Sequence, residues 1–129
     1  DMILEYLKQN NLLFSNVYVI ANRYKFDEKG RAIKVQGPII HPFNKTEVSL
    51  KGNYVYEVIK NKKNILLLGD GLGDVGMVEG FDYDSVIKVG FLNENILENI
   101  KNYKNNFDVV LTGDQEFYYV DNLVKGMFN

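Results

Sequence analysis

Apolar positions become regular from residue 64 onward. Asn64-Ile65-Leu66-Leu67-Leu68-Gly69-Asp70 is a continuous apolar run closed by polar residues. Such a run predicts a strand covered on both faces, as in a parallel sheet. Residues 85–91 and 108–111 predict two more strands, and helices are expected over 74–79 and 93–103, the latter carrying Ile96, Leu97 and Ile100. A closing helix over 117–127 would turn Val120, Leu123, Val124 and Met127 inward. Strands alternating with helices imply βαβ units and an open parallel sheet.

The first half is more mixed. Ile3, Leu4 and Leu7 share a helical face, so a helix is expected from about residue 1 to residue 10, ending at Asn10-Asn11. Residues 16–22 are β-branched and aromatic and read as a strand. Phe26-Asp27-Glu28-Lys29-Gly30-Arg31 reads as a turn, and residues 32–36 as the returning strand of a hairpin. Ile39-Ile40 suggests another short strand before Pro42, and a helix is expected over 46–60, weakened in its middle by Gly52. No repeat and no linker interrupts residues 1–129.

Composition narrows the chemistry. At 129 residues the chain has one domain's length, and 46% hydrophobic with 25% charged residues is ordinary for a globular fold. Fifteen basic and 17 acidic side chains give a formal charge of -2, which argues against a nucleic-acid partner recognised by bulk charge. Without cysteine, disulfides, thiolate zinc sites and cysteine nucleophiles drop out, and with only His41 so do multi-histidine metal sites. No apolar run approaches the ~20 residues of a membrane helix. The N-terminus lacks the pattern of a signal peptide, so the cytoplasm is the expected compartment.

In open parallel sheets ligands bind outside the carboxyl ends of the strands. There the chain carries Leu68-Gly69-Asp70-Gly71-Leu72-Gly73-Asp74. Two carboxylates on a glycine-rich turn are hard oxygen ligands that suit Mg²⁺, though aspartates also cap helices. The same segment matches G-x-G-x-x-G over Gly71 to Gly76, with Glu94 further on, the pattern of a dinucleotide site. Against that reading stand the short following helix and the like charge that Asp70 and Asp74 would present to a pyrophosphate. Lys45, at a loop-to-helix junction, could neutralise phosphate. Taken alone, it reads better as a surface lysine. His41 reads as a packed or solvent-facing histidine rather than a general base, Tyr118-Tyr119 as core, and Asp114-Gln115-Glu116 as the lead-in to the last helix.

Four ordered motifs carry a family resemblance. They are Asn16-Val17-x-Val19-x-x-Asn22 with Phe26-Asp27-Glu28-x-Gly30, Ile40-His41-x-Phe43-Asn44-Lys45, the stretch from Asn64 to Gly80 around Gly69-Asp70-Gly71-Leu72-Gly73-Asp74, and Lys88 to Asn93 with Phe107-Asp108-Val109-Val110-Leu111. In these the chain resembles the cytosolic pyrimidine 5′-nucleotidases of type III, in the haloacid dehalogenase superfamily. The resemblance implies an α/β fold: a partial Rossmann-like core, its parallel sheet flanked by helices, plus a β-hairpin. It implies Mg²⁺-dependent hydrolysis of nucleoside 5′-monophosphates such as CMP or UMP through an aspartyl-phosphate. Lys45 then corresponds to the lysine that steadies nucleophile and phosphate, Asp70 to a metal ligand, and Asp74 to its partner acid in the Mg²⁺ shell.

The superfamily's nucleophile motif and base-reading cap do not occur in these residues. Residues 1–129 therefore read as the C-terminal part of such an enzyme, inactive alone, whose partner is the N-terminal half of the same protein. Ala21 and Gly71 stand where relatives often have serine. The runner-up is a non-catalytic phosphate- or Mg²⁺-binding module, and a dinucleotide-binding domain comes third. A sheet lacking its central strand should expose an apolar edge and associate.

Overall fold

Three strands paired in parallel organise the second half of the chain. The computed structural model describes residues 2–37, 39–41, 54–114 and 117–128, which fall into two units, Asp1–Asn44 and Lys45–Asn129.

In Asp1–Asn44, helix α1 (Met2–Gln9) half-buries Leu4 and Leu7 and leaves Ile3 exposed. Asn11, in the left-handed region at φ 55, ends it. Strands β1 (Arg23–Phe26) and β2 (Ala32–Gln36) form the expected antiparallel hairpin, with a register shift between Lys25 and Phe26. Gly30 supplies φ +75 in the turn. The Asp27 carboxylate accepts the backbone N–H groups of Lys29 at 2.9 Å and Arg31 at 2.8 Å, and pairs with the Arg31 side chain at 2.8 Å. Chiefly the Arg31 N–H holds the Asp27 carboxyl below its ordinary value.

Two expectations fail in this unit. Residues 16–22 are not a strand; the ladder starts at Arg23. Val17, Tyr18 and Val19 are half-buried, and β-propensity measures fit to such a surface rather than pairing itself. Nor do Ile39-Ile40 form a strand. Instead the Asn22 side chain takes the place of a ladder partner, donating to the Ile40 carbonyl at 2.8 Å and accepting its N–H at 2.7 Å. None of the described residues of this unit is fully buried.

In Lys45–Asn129 the helix expected over 46–60 is described only as α2 (Tyr54–Ile59), which buries Val55; residues 42–53 lie outside the described residues. Strands β3 (Asn64–Gly69), β4 (Ser85–Leu92) and β5 (Val109–Thr112) pair in parallel in the order β3-β4-β5. Asn64 faces Ser85, and Val89 faces Val109. The core runs through Leu67, Val78, Val89, Leu92, Tyr103, Phe107 and Val120.

The connections differ from expectation in detail. The element after β3 is a seven-residue 3₁₀ helix, Leu72–Val78, not an α-helix over 74–79. Asp74 N–H bonds to the Gly71 carbonyl and Glu79 N–H to the Gly76 carbonyl, both at 3.0 Å and both three residues back. Glycines 73 and 76 lower the local α-propensity. Helix α3 (Ile96–Asn106) starts three residues late, because Asn95 sits at φ 49. Its inward face is Ile96, Ile100 and Tyr103, while Leu97 is 94% exposed. Helix α4 (Tyr118–Met127) buries Val120 and half-buries Leu123 and Val124, but leaves Met127 exposed.

Candidate functional site

Parallel pairing brings the carboxyl ends of all three strands to one side of the sheet. Asp70 follows β3, Asn93 follows β4, and Gly113-Asp114 follow β5. A cavity of about 540 Å³ opens there. Asp70, Asp74, Asn93 and Asp114 form its polar wall, and Met77, Phe91 and Phe117 its apolar one. Phe91 and Phe117 stack with ring centres 5.2 Å apart.

Asp70 and Asp74 share the cavity but are held differently. Asp70 is exposed, whereas Asp74 is 5% exposed. Asp74 Oδ2 accepts the N–H groups of Asp70 and Gly71, both at 3.1 Å, which ties the loop back onto the 3₁₀ helix. Gly69 makes this approach possible: a Cβ there would lie 2.6 Å from the Asp74 Cβ. The element that carries these glycines is a seven-residue 3₁₀ helix, not the α-helix whose N-terminus would take a pyrophosphate, and the Asp70 and Gly71 N–H groups point at a carboxylate. The glycine pattern therefore does not build that site.

Tyr103 supports the loop from the other side. Its hydroxyl donates to the Asp70 backbone carbonyl at 2.6 Å, and its ring stacks on Phe107 with centres 5.4 Å apart. Burial, followed by the negative charges of Asp70 and Asp74, pushes the Tyr103 hydroxyl above its ordinary value of 10.0, so it stays protonated at neutral pH and keeps its hydrogen bond to the carbonyl. Asn93 Oδ1 accepts the Asp114 N–H at 3.3 Å, with Asp114 itself at φ 46, a region that Asp tolerates better than most residues.

Lys45 lies outside the described residues. His41 is exposed and belongs to the other unit. Asn93, Asp114 and Tyr103 are neighbours that sequence reasoning did not assign to the site. Position just past β4 and β5 could have found the first two; Tyr103 carries no signal, since its bond spans 33 residues.

Residues 1–128 match the family model described as Pyrimidine 5′-nucleotidase (UMPH-1). The chain belongs to this family. It is 31% identical over 126 residues to a 7-methylguanosine phosphate-specific 5′-nucleotidase of Gallus gallus, covering 97% of this chain and 44% of that protein. A Drosophila melanogaster protein of the same name is 36% identical over 117 residues, 89% of this chain and 36% of that one. Among solved structures, cytosolic 5′-nucleotidase IIIB bound to cytidine superposes with a TM-score of 0.84 at 34% identity, over 95% of this chain and 42% of that one. The α/β architecture, a parallel sheet flanked by helices with a separate antiparallel hairpin, is thus that of a nucleotidase family member. The chain spans less than half the length of these relatives.

Proposed function

We propose that a full-length protein carrying this chain hydrolyses nucleoside 5′-monophosphates to nucleoside and phosphate. The observation that carries the reading is the Asp70 and Asp74 pair at the carboxyl end of β3, in a chain matched over residues 1–128 by a nucleotidase family. In this reading an aspartate outside residues 1–129 attacks phosphorus as the bond to the 5′ oxygen breaks, and the leaving nucleoside oxygen takes a proton. Water then hydrolyses the acyl phosphate. Lys45 balances the charge of the phosphate.

The donor chemistry fits Mg²⁺. The exposed Asp70 carboxylate is a hard oxygen ligand on the cavity wall. Among the described residues no group of three or more His, Cys, Asp or Glu side chains completes a metal cluster. The remaining ligands would be water, phosphate and groups beyond the described residues. Asp74, committed to two backbone N–H groups, keeps Asp70 in place as its partner acid. Bound Mg²⁺ would supply charge neutralisation at the phosphoryl oxygens.

Pyrimidine substrates such as CMP and UMP are favoured by the family's description and by the cytidine in the related structure. The names of the Gallus and Drosophila relatives favour 7-methylguanosine monophosphate as the second substrate. The test is release of phosphate by the full-length protein from all three, with Mg²⁺ and after EDTA. Hydrolysis that EDTA abolishes and Mg²⁺ restores is expected. Hydrolysis of none of the three would leave the non-catalytic phosphate- or Mg²⁺-binding module in its place. The cytoplasm is the proposed location; among the described residues no helix is long and apolar enough to cross a membrane.

Residues 1–129 alone are expected to self-associate. Among the described residues β3 stands at one end of the sheet, and those of Asp1–Asn44 bury no side chain fully. Sedimentation velocity checks this, and a single monomer boundary with a sharp cooperative melt would count against it. The partner that satisfies these surfaces in the full-length protein is its own N-terminal part.

A further inference from the structure

The Asp70 backbone is held on both sides of its Cα. Its N–H donates to Asp74 Oδ2 at 3.1 Å, and its carbonyl accepts the Tyr103 hydroxyl at 2.6 Å. The two anchors come from separate elements, the 3₁₀ helix and α3. Asp74 and Tyr103 are 5% and 7% exposed, whereas the Asp70 side chain between them reaches the cavity wall. An exposed aspartate on a glycine-flanked loop has many rotamers and backbone states open to it. Holding the peptide groups before and after Asp70 restricts its backbone and leaves chiefly the side chain to order.

The Tyr103 anchor is itself backed. Its ring stacks on Phe107, and together with Leu92 these two form a buried cluster with Val75, Ile96, Ile100 and Val110 packed against it. Phe107 in turn lies where a Cβ on Gly90 of β4 would meet its ring at 2.6 Å. The hydroxyl position is thereby set by the packing of α3 on β4, not by the loop it serves.

We infer that Tyr103 is a positioning residue for the Asp70 loop, holding the carboxylate ready for a divalent cation through the hydrogen bond to the Asp70 carbonyl. This rests on the reading of Asp70 as a Mg²⁺ ligand. Hydrogen-bonding partners behind metal ligands typically govern affinity by about ten- to a hundredfold. Tyr103→Phe removes the hydroxyl and keeps the ring on Phe107, so the fold is retained.

The experiment titrates Mg²⁺ alone into full-length Tyr103→Phe, Asp70→Asn and parent proteins by calorimetry. In parallel it measures the Mg²⁺ half-saturation of nucleotide hydrolysis and the nucleotide KM at saturating Mg²⁺. Tyr103→Phe should raise both the Mg²⁺ Kd and the half-saturation about tenfold, with a far smaller change in nucleotide KM. A merely structural tyrosine would lower the melting temperature of the metal-free protein and leave the Mg²⁺ Kd within about twofold of the parent, and that result would overturn the assignment. Asp70→Asn separates the two levels. If it too keeps parental Mg²⁺ binding, the metal reading falls and the positioning role with it. If it loses Mg²⁺ while Tyr103→Phe does not, only the positioning role falls.

Discussion

Asp70→Asn in the full-length protein should cut kcat/KM for nucleoside monophosphate hydrolysis by roughly a hundred- to a thousandfold, the usual cost of one preorganised electrostatic group at a reacting centre. Asparagine keeps the shape of the side chain and removes its charge. Because the Asp70 side chain is exposed, its neutralisation leaves the packing alone, and the melting temperature should stay at the parental value. Asp74→Ala is the informative contrast. Asp74 is buried and accepts two part-buried backbone N–H groups, so its loss leaves both without that acceptor and costs about 1–3 kcal/mol in all. That variant should lose activity and stability together. Steady-state kinetics and thermal melts on the two proteins check the pair of outcomes. An Asp70→Asn enzyme as fast as the parent would remove Asp70 from the chemistry.

The largest expected effect on stability is at Gly90. A Cβ there would sit 2.6 Å from Phe107 Cδ2 and 2.7 Å from Cγ, well inside van der Waals contact. The ring cannot swing away cheaply, because Tyr103 is stacked on it and both belong to the buried cluster with Leu92. Gly90→Ala should therefore cost about 3 kcal/mol, the upper end of ordinary overpacking. Any relief by movement of Phe107 drags Tyr103 with it, so weaker Mg²⁺ binding should accompany the lower melt. Gly126 provides the opposite sign. It lies within α4, and among the described residues nothing beyond its own helix lies within 4 Å of where a Cβ would stand, so Gly126→Ala should stabilise by about 0.4–1 kcal/mol. Denaturant melts of both variants test the assignment, which fails if Gly90→Ala unfolds at the parental midpoint.

What the sequence made legible tracks how local the responsible physics is. The runs at 64–70, 85–91 and 108–111 became β3, β4 and β5 within a residue or so, since a buried parallel strand needs only continuous apolar character. The hairpin was legible through Gly30 and its flanks. Residues 16–22 were not, because whether a β-prone segment pairs depends on which backbone lies beside it, and the Asn22 side chain took up the Ile40 backbone instead. Leu97 misled for another reason: one apolar residue beside a helical stripe says nothing about which way it faces, and Tyr103 filled that place. At the site, Asp70 and Asp74 stood out by spacing. Their division of labour, one exposed and one tied to the backbone, follows from the 3₁₀ geometry, which spacing does not specify.

The pairing pattern of the sheet also fixes how far apart its partners lie along the chain. Asn64 finds Ser85 and Val89 finds Val109, so each strand meets its neighbour about twenty residues along the chain. Closing loops of that length costs less entropy than bringing together strands from distant parts of the chain. The cavity, by contrast, needs the far ends of all three strands at once. Anything bound there therefore stabilises the arrangement in which β3, β4 and β5 are all paired over one in which they are not.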